Sequence, residues 1–121
     1  MYLIMKITPF STGCGAVLGD IQLADLSDAQ LEEVRAAFNE HGLLLFRDQS
    51  LSPQEHIQFA KRFGDIELNK FFKPVEAFPE IAEVRKDKDQ ETNIGGGWHT
   101  DHSYDEIPAL GSILVARELP S

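Results

Sequence analysis

His99 and Asp101 stand two residues apart behind Gly95, Gly96 and Gly97, in a run that continues through His102 and Ser103 to Tyr104. If the backbone is extended there, side chains two apart leave the same face of the strand, so imidazole and carboxylate project together, about 6–7 Å apart along the chain. An imidazole nitrogen and a carboxylate oxygen are borderline and hard donors, suited to Fe(II), Mn(II) or Zn(II). Two histidines and one carboxylate on one face of a metal leave its other positions open for a co-substrate and oxygen. The pair supplies two of those three corners. Spacing alone leaves a second reading open, since a surface histidine beside an aspartate needs no metal. His102 follows Asp101 directly and would point to the opposite face of an extended chain. His41, next to Gly42, reads as a favourable group at the negative end of a helix, and His56 as a solvated helix residue.

Periodicity and punctuation outline the elements that must carry these residues. Residues 2–7 are aliphatic and β-branched enough for a strand, which Pro9 would end. Gly13, Gly15 and Gly19 punctuate a short strand at residues 16–18. Ser27 and Gln30 have the form of a capping box. Leu31, Val34 and Phe38 then recur at helical spacing, giving a helix over residues 28–40 that Gly42 ends, with Glu32, Glu33 and Arg35 on its wet side. Residues 43–47 begin as a continuous apolar run and read as a buried strand. Ser52, Pro53 and Glu55 mark a second helix start, and residues 53–63 would bury Ile57, Ala60 and Phe63 before Gly64.

Residues 65–79 lose all period. Phe71, Phe72 and Phe78 lie among Lys70, Lys73, Pro74 and Pro79, the pattern of a loop with aromatic anchors. Alternation returns at residues 81–85, a short strand, and at residues 111–119, a closing strand with Ile113, Val115 and Arg117 on one face and Leu114 and Ala116 on the other. Between them, residues 86–97 are polar and then glycine-rich, an exposed mobile loop. It lacks the lysine and following helix of a phosphate loop, which excludes nucleotide binding.

Composition narrows the classes further. A chain of 121 residues, 42% apolar and 26% charged, fits one domain, residues 1–121. Its net charge of −9 argues against nucleic acid and anionic membranes as partners, since both require a basic face. Cys14, the one cysteine, cannot close an intramolecular disulfide and reads as a small packed residue between glycines. The first residues carry no basic n-region, and the longest apolar stretch, residues 43–46, is far short of the ~20 a spanning helix needs. The expectation is a soluble cytoplasmic protein.

The run Gly97-Trp98-His99-Thr100-Asp101, followed by Pro108-Ala109-Leu110-Gly111-Ser112-Ile113-Leu114 and Ala116-Arg117-Glu118-Leu119-Pro120-Ser121, resembles the taurine dioxygenase (TauD/TfdA) family of Fe(II)- and 2-oxoglutarate-dependent dioxygenases. Gly13-Cys14-Gly15-Ala16, Asp25-Leu26-Ser27, Gly42-Leu43-Leu44-Leu45-Phe46-Arg47 and Phe63-Gly64-Asp65 fall where that family has its G-x-G-A, D-L-S, G-hydrophobic-F-R and F-G-[DE] segments. The match runs in order over nearly the whole chain and covers the first part of the family.

The resemblance implies an α+β, mainly β fold: the N-terminal portion of a double-stranded β-helix, or jelly roll, with two flanking helices. A jelly roll needs about eight strands, and the pattern here supplies five or six. The resemblance further implies His99 and Asp101 as metal ligands, Fe(II) as cofactor, 2-oxoglutarate as co-substrate, and a small organic acid of sulfonate or carboxylate type as the molecule hydroxylated. The second metal histidine and the arginine for 2-oxoglutarate would lie beyond Ser121. The chain is therefore expected to be truncated, with its site completed by a missing segment or by another chain of a homo-oligomer.

Candidates for the substrate pocket are Asn69 and Phe71 after the Phe63-Gly64-Asp65 segment, Gly95 where taurine-using members carry a polar amide, and Tyr104, which with Trp98 would shield the ligand strand. Residues 67–70 lack the histidine those members carry, so taurine itself is not expected. Two other classes stand beside this reading. One is a catalytically inactive fragment or self-associating module joined through open strand edges. The other is a Zn(II) hydrolase, which no H-E-x-x-H or cysteine ligand pattern accompanies.

Overall fold

Ser27 opens the longest element. Its hydroxyl accepts the Gln30 N–H at 3.1 Å while the Gln30 side-chain oxygen accepts the Ser27 N–H at 3.0 Å, so two backbone donors at the helix start are satisfied reciprocally. Helix α1, Asp28–His41, ends where Gly42 turns to φ +73° and its N–H returns to the Phe38 carbonyl at 2.8 Å. The computed structural model describes residues 5–68 and 71–121, and the chain divides into two compact units, Met1–Ser52 and Pro53–Ser121.

In the first unit, β1 (Lys6–Pro9) pairs antiparallel with β2 (Ala16–Gly19), Lys6 opposite Gly19 and Pro9 opposite Ala16. On the other side of β2, the two-residue β3 (Leu44–Leu45) pairs parallel, Ala16 opposite Leu44. Parallel neighbours need a crossover, and α1 supplies it. Ala16 and Leu18 alternate into the core, which they share with Leu31, Val34 and Ala37 of α1 and with Ile21, Leu23, Leu26 and Leu51. The Gln49 side chain ties this core's edge together, accepting the Leu23 N–H at 2.9 Å and donating to the carbonyls of Ile21 at 2.8 Å and Arg47 at 3.0 Å.

Several expectations for this unit are corrected. Pro9 closes β1 from inside the strand, which an edge position allows because proline has no N–H to give a further neighbour. Tyr2, Leu3 and Ile4 of the expected strand lie outside the described residues. On α1 the third buried position is Ala37, with Phe38 half-buried, and Arg35 is half-buried 3.9 Å from Glu32. The apolar run at residues 43–47 is not a buried strand. β3 sits at the sheet edge, half-buried, and Leu43 is 58% exposed. Cys14 is exposed rather than packed, its thiol 3.3 Å from the His41 carbonyl.

The second unit begins with α2, Pro53–Lys61, extended by turn bonds from Phe63 N–H to the Ala60 carbonyl and Gly64 N–H to the Lys61 carbonyl. Its buried residue is Phe59, not Ile57 or Ala60, which are half-buried. Phe59 and Phe63, four apart on one face, meet edge to face with centroids 5.2 Å apart, and the two large rings outweigh the smaller apolar pair.

Where a structureless loop was expected, β4 (Pro74–Val75) and β5 (Phe78–Ala82) form an antiparallel hairpin, turning at Ala77 with φ +67°. A two-stranded ladder leaves part of its N–H groups pointing outward, so prolines that argued against strand are tolerated. β5 also starts earlier than the strand expected at residues 81–85 and ends at Ala82. Residues 111–119 form no hydrogen-bonded strand, although Ile113 and Val115 are half-buried and Leu114 and Ala116 exposed, as the alternation indicates.

Helices and short strands thus share the regular structure, α+β in kind, and the described strands do not build a double-stranded β-helix. Residues 83–121 pass through bends and turns without a ladder. Among the described residues no helix is long and apolar enough to cross a membrane.

Candidate metal centre

The loop that carries the candidate ligands is closed by polar contacts. Arg85 Nε donates to Asp87 Oδ1 at 2.8 Å, and this hydrogen bond, with the charges of Asp87 and Glu83, raises the guanidinium pKa above its ordinary value. Lys86 Nζ donates to Asn93 Oδ1 at 2.6 Å across seven residues. Gly95 then takes φ +68°, a conformation that favours glycine, and brings the backbone against the His99 ring.

His99 Nδ1 lies 2.8 Å from the Gly97 carbonyl oxygen. A carbonyl only accepts, so a hydrogen sits on Nδ1, and in the neutral ring Nε2 then presents a lone pair. That Nε2 stands 3.2 Å from Asp101 Oδ1. Two acceptor atoms at this distance repel unless a proton or a cation lies between them. Two ligands bonded to one metal at about 2.1 Å and at right angles are about 3 Å apart, so the pair fits adjacent positions on a metal. Their side chains are 54% and 75% exposed, leaving room for further ligands.

No strand ladder among the described residues holds the pair. Residues 99 and 100 lie outside any regular element, and the chain bends and turns from Asp101 to Tyr104. Among the described residues no group of three His, Cys, Asp or Glu side chains could hold one ion.

Phe71 and Tyr104 are brought together through His102, whose ring centroid is 5.7 Å from that of Phe71 and 5.8 Å from that of Tyr104. His102 has φ +48° and sets Nδ1 3.4 Å from Asp105 Oδ2. Trp98 and Tyr104 do not shield the ligands: both are exposed, Trp98 fully, and Trp98 lines an open depression with Gly96, Gly97 and His99. Asn69 lies outside the described residues. His56, expected in solvent, is half-buried, with Nε2 3.1 Å from the Ile113 carbonyl, a partner that its helical position gave no means of finding.

Residues 6–121 match the model of the taurine catabolism dioxygenase TauD, TfdA family. The chain belongs to this family. It is 35% identical over 123 residues to the (S)-phenoxypropionate/alpha-ketoglutarate-dioxygenase of Sphingobium herbicidovorans, covering 95% of this chain and 41% of that protein. It is 29% identical over 128 residues to the alpha-ketoglutarate-dependent sulfonate dioxygenase of Saccharomyces cerevisiae, covering 97% of this chain and 30% of that one. Among solved structures it resembles a taurine dioxygenase from Burkholderia xenovorans, with TM-score 0.57, 27% identity, and coverage of 62% of this chain and 28% of the other. The chain thus spans less than half the length of these relatives. The TauD/TfdA family uses 2-oxoglutarate as co-substrate and Fe(II) as cofactor.

Proposed function

We propose that His99 and Asp101 are two of the protein ligands to Fe(II) in a 2-oxoglutarate-dependent dioxygenase that hydroxylates a small organic acid of sulfonate or carboxylate type. The observation that carries the reading is the 3.2 Å separation of Nε2 and Oδ1, with the other imidazole nitrogen occupied by the Gly97 carbonyl. The acid class is supported by relatives named for a phenoxypropionate and for sulfonates. We read the two units as parts of one domain, because the family model runs through their junction.

When bound, Fe(II) supplies the chemistry that couples 2-oxoglutarate, O2 and a substrate C–H to succinate, CO2 and the C–OH product. The chain's own contribution is positional. The Gly97 carbonyl holds the proton at Nδ1 and so keeps Nε2 available, and Asp101 adds negative charge beside it. Phe71, Tyr104 and Asn69 are our candidates for the pocket wall. The third protein ligand and the arginine for 2-oxoglutarate are proposed to come from outside the described residues.

Anaerobic Fe(II) titration of the purified chain, with and without 2-oxoglutarate and beside a His99→Ala variant, tests the proposal through metal binding and the metal-to-ligand charge-transfer band. His99-dependent binding is expected, and a band needing both additions would show that the chain completes its site. Binding indifferent to His99→Ala would sink the reading.

A second reading, a catalytically inactive, self-associating module, is favoured by one observation: Ile107, Leu110, Leu114 and Leu119 are all largely exposed. Iron binding without the band would favour it.

A further inference from the structure

The three glycines before His99 are not equivalent. A Cβ built on Gly95 would lie 3.1 Å from Cε1, 3.6 Å from Nε2 and 3.9 Å from Nδ1 of His99. Those three atoms form the edge of the ring that makes both of its polar contacts. A Cβ on Gly96 would instead meet Asn93, at 3.3 Å from its Cβ, and one on Gly97 would meet nothing within 4 Å.

We propose that Gly95 is a positioning residue for His99: the missing side chain lets the imidazole lie against the backbone with Nδ1 on the Gly97 carbonyl and Nε2 facing Asp101. The inference rests on His99 being a metal ligand, as argued above. Carbon atoms in ordinary contact stand about 3.5–4.0 Å apart, so a Cβ at 3.1 Å must push the ring outward. The ring turns about only two side-chain bonds. An outward shift therefore lengthens the 2.8 Å bond to Gly97, opens the 3.2 Å gap to Asp101, or does both. A side chain at position 95 thus requires the imidazole to give by a few tenths of an ångström from this seating.

The test compares Gly95→Ala, Gly95→Asn, Gly13→Ala and His99→Ala in the full chain, using Mn(II) as probe, followed by electron paramagnetic resonance. Long-range 15N–1H correlation of the His99 ring in the metal-free chain gives a second readout. Asn tolerates positive φ better than Ala, so the pair separates backbone strain from the clash. Both Gly95 variants are expected to bind Mn(II) about 10–100-fold more weakly, as when a group that orients a metal ligand is lost, and to shift the His99 nitrogen signals. Gly13→Ala, at a glycine outside this loop whose Cβ would meet nothing within 4 Å, should retain both. Unchanged binding and signals in both Gly95 variants would overturn the proposal, and so would loss in Gly95→Ala with retention in Gly95→Asn, which assigns the effect to the backbone. Affinity unchanged by His99→Ala would instead remove the metal reading, while the ring signals still report whether Gly95 seats the imidazole. Circular dichroism of α1 and α2 checks the fold of each variant.

Discussion

His99, His102 and His41 each have a carboxylate within 4 Å, at 3.2, 3.4 and 3.8 Å respectively. What distinguishes His99 is that its other nitrogen is fixed on a carbonyl. His102 turns Nδ1 to Asp105 and lays its ring beside Phe71 and Tyr104. His102→Ala should therefore leave Mn(II) affinity unchanged, whereas Asp101→Asn, which keeps the shape but removes the charge, should lower it at least about tenfold in the same titration. Equal losses in both variants would argue that the loop binds metal through general acidity. The identity and spacing of His99 and Asp101 were legible in the sequence because residue type determines donor chemistry. The roles of Gly95 and the Gly97 carbonyl were not, since they depend on a φ of +68° and on a ring orientation that adjacency does not specify.

Elements were legible where local chemistry decides them. Ser27, Gln30 and Gly42 mark both ends of α1 because the cap bonds run between neighbours in sequence. Ser27→Ala should cost about 1 kcal/mol, read as a lower urea midpoint. Phe59→Ala, which empties a buried position 4% exposed and removes the ring against Phe63, should cost about 3–5 kcal/mol in the same experiment. A smaller loss for Phe59→Ala than for Ser27→Ala would contradict this account of the packing. The β4–β5 hairpin and the half-buried β3 escaped the pattern for a common reason. Prolines and apolar runs report what a residue can tolerate, but the side of a strand that stays uncovered is set by neighbours distant in sequence.

At the scale of the whole molecule, a net charge of −9 opposes self-association, while Leu114, 86% exposed, and Leu110, Leu119 and Ile107 promote it. If the apolar surface dominates, sedimentation velocity should show concentration-dependent association that strengthens with salt, and Leu114→Glu should reduce it. A chain that stays monomeric in both forms would remove the case for a homo-oligomer. The family was readable from motifs spread over the full length, yet the jelly roll is not formed by the described strands, because closing such a barrel requires pairing between distant segments. The candidate half-site makes the opposite demand. Gly95, Gly97, His99 and Asp101 fall within one short run, so its geometry is a low-contact-order object whose loop-closure entropy is small. Its geometry is therefore expected to form early in synthesis and to survive a graft into an unrelated scaffold when the Lys86–Asn93 contact that closes the loop is carried with it.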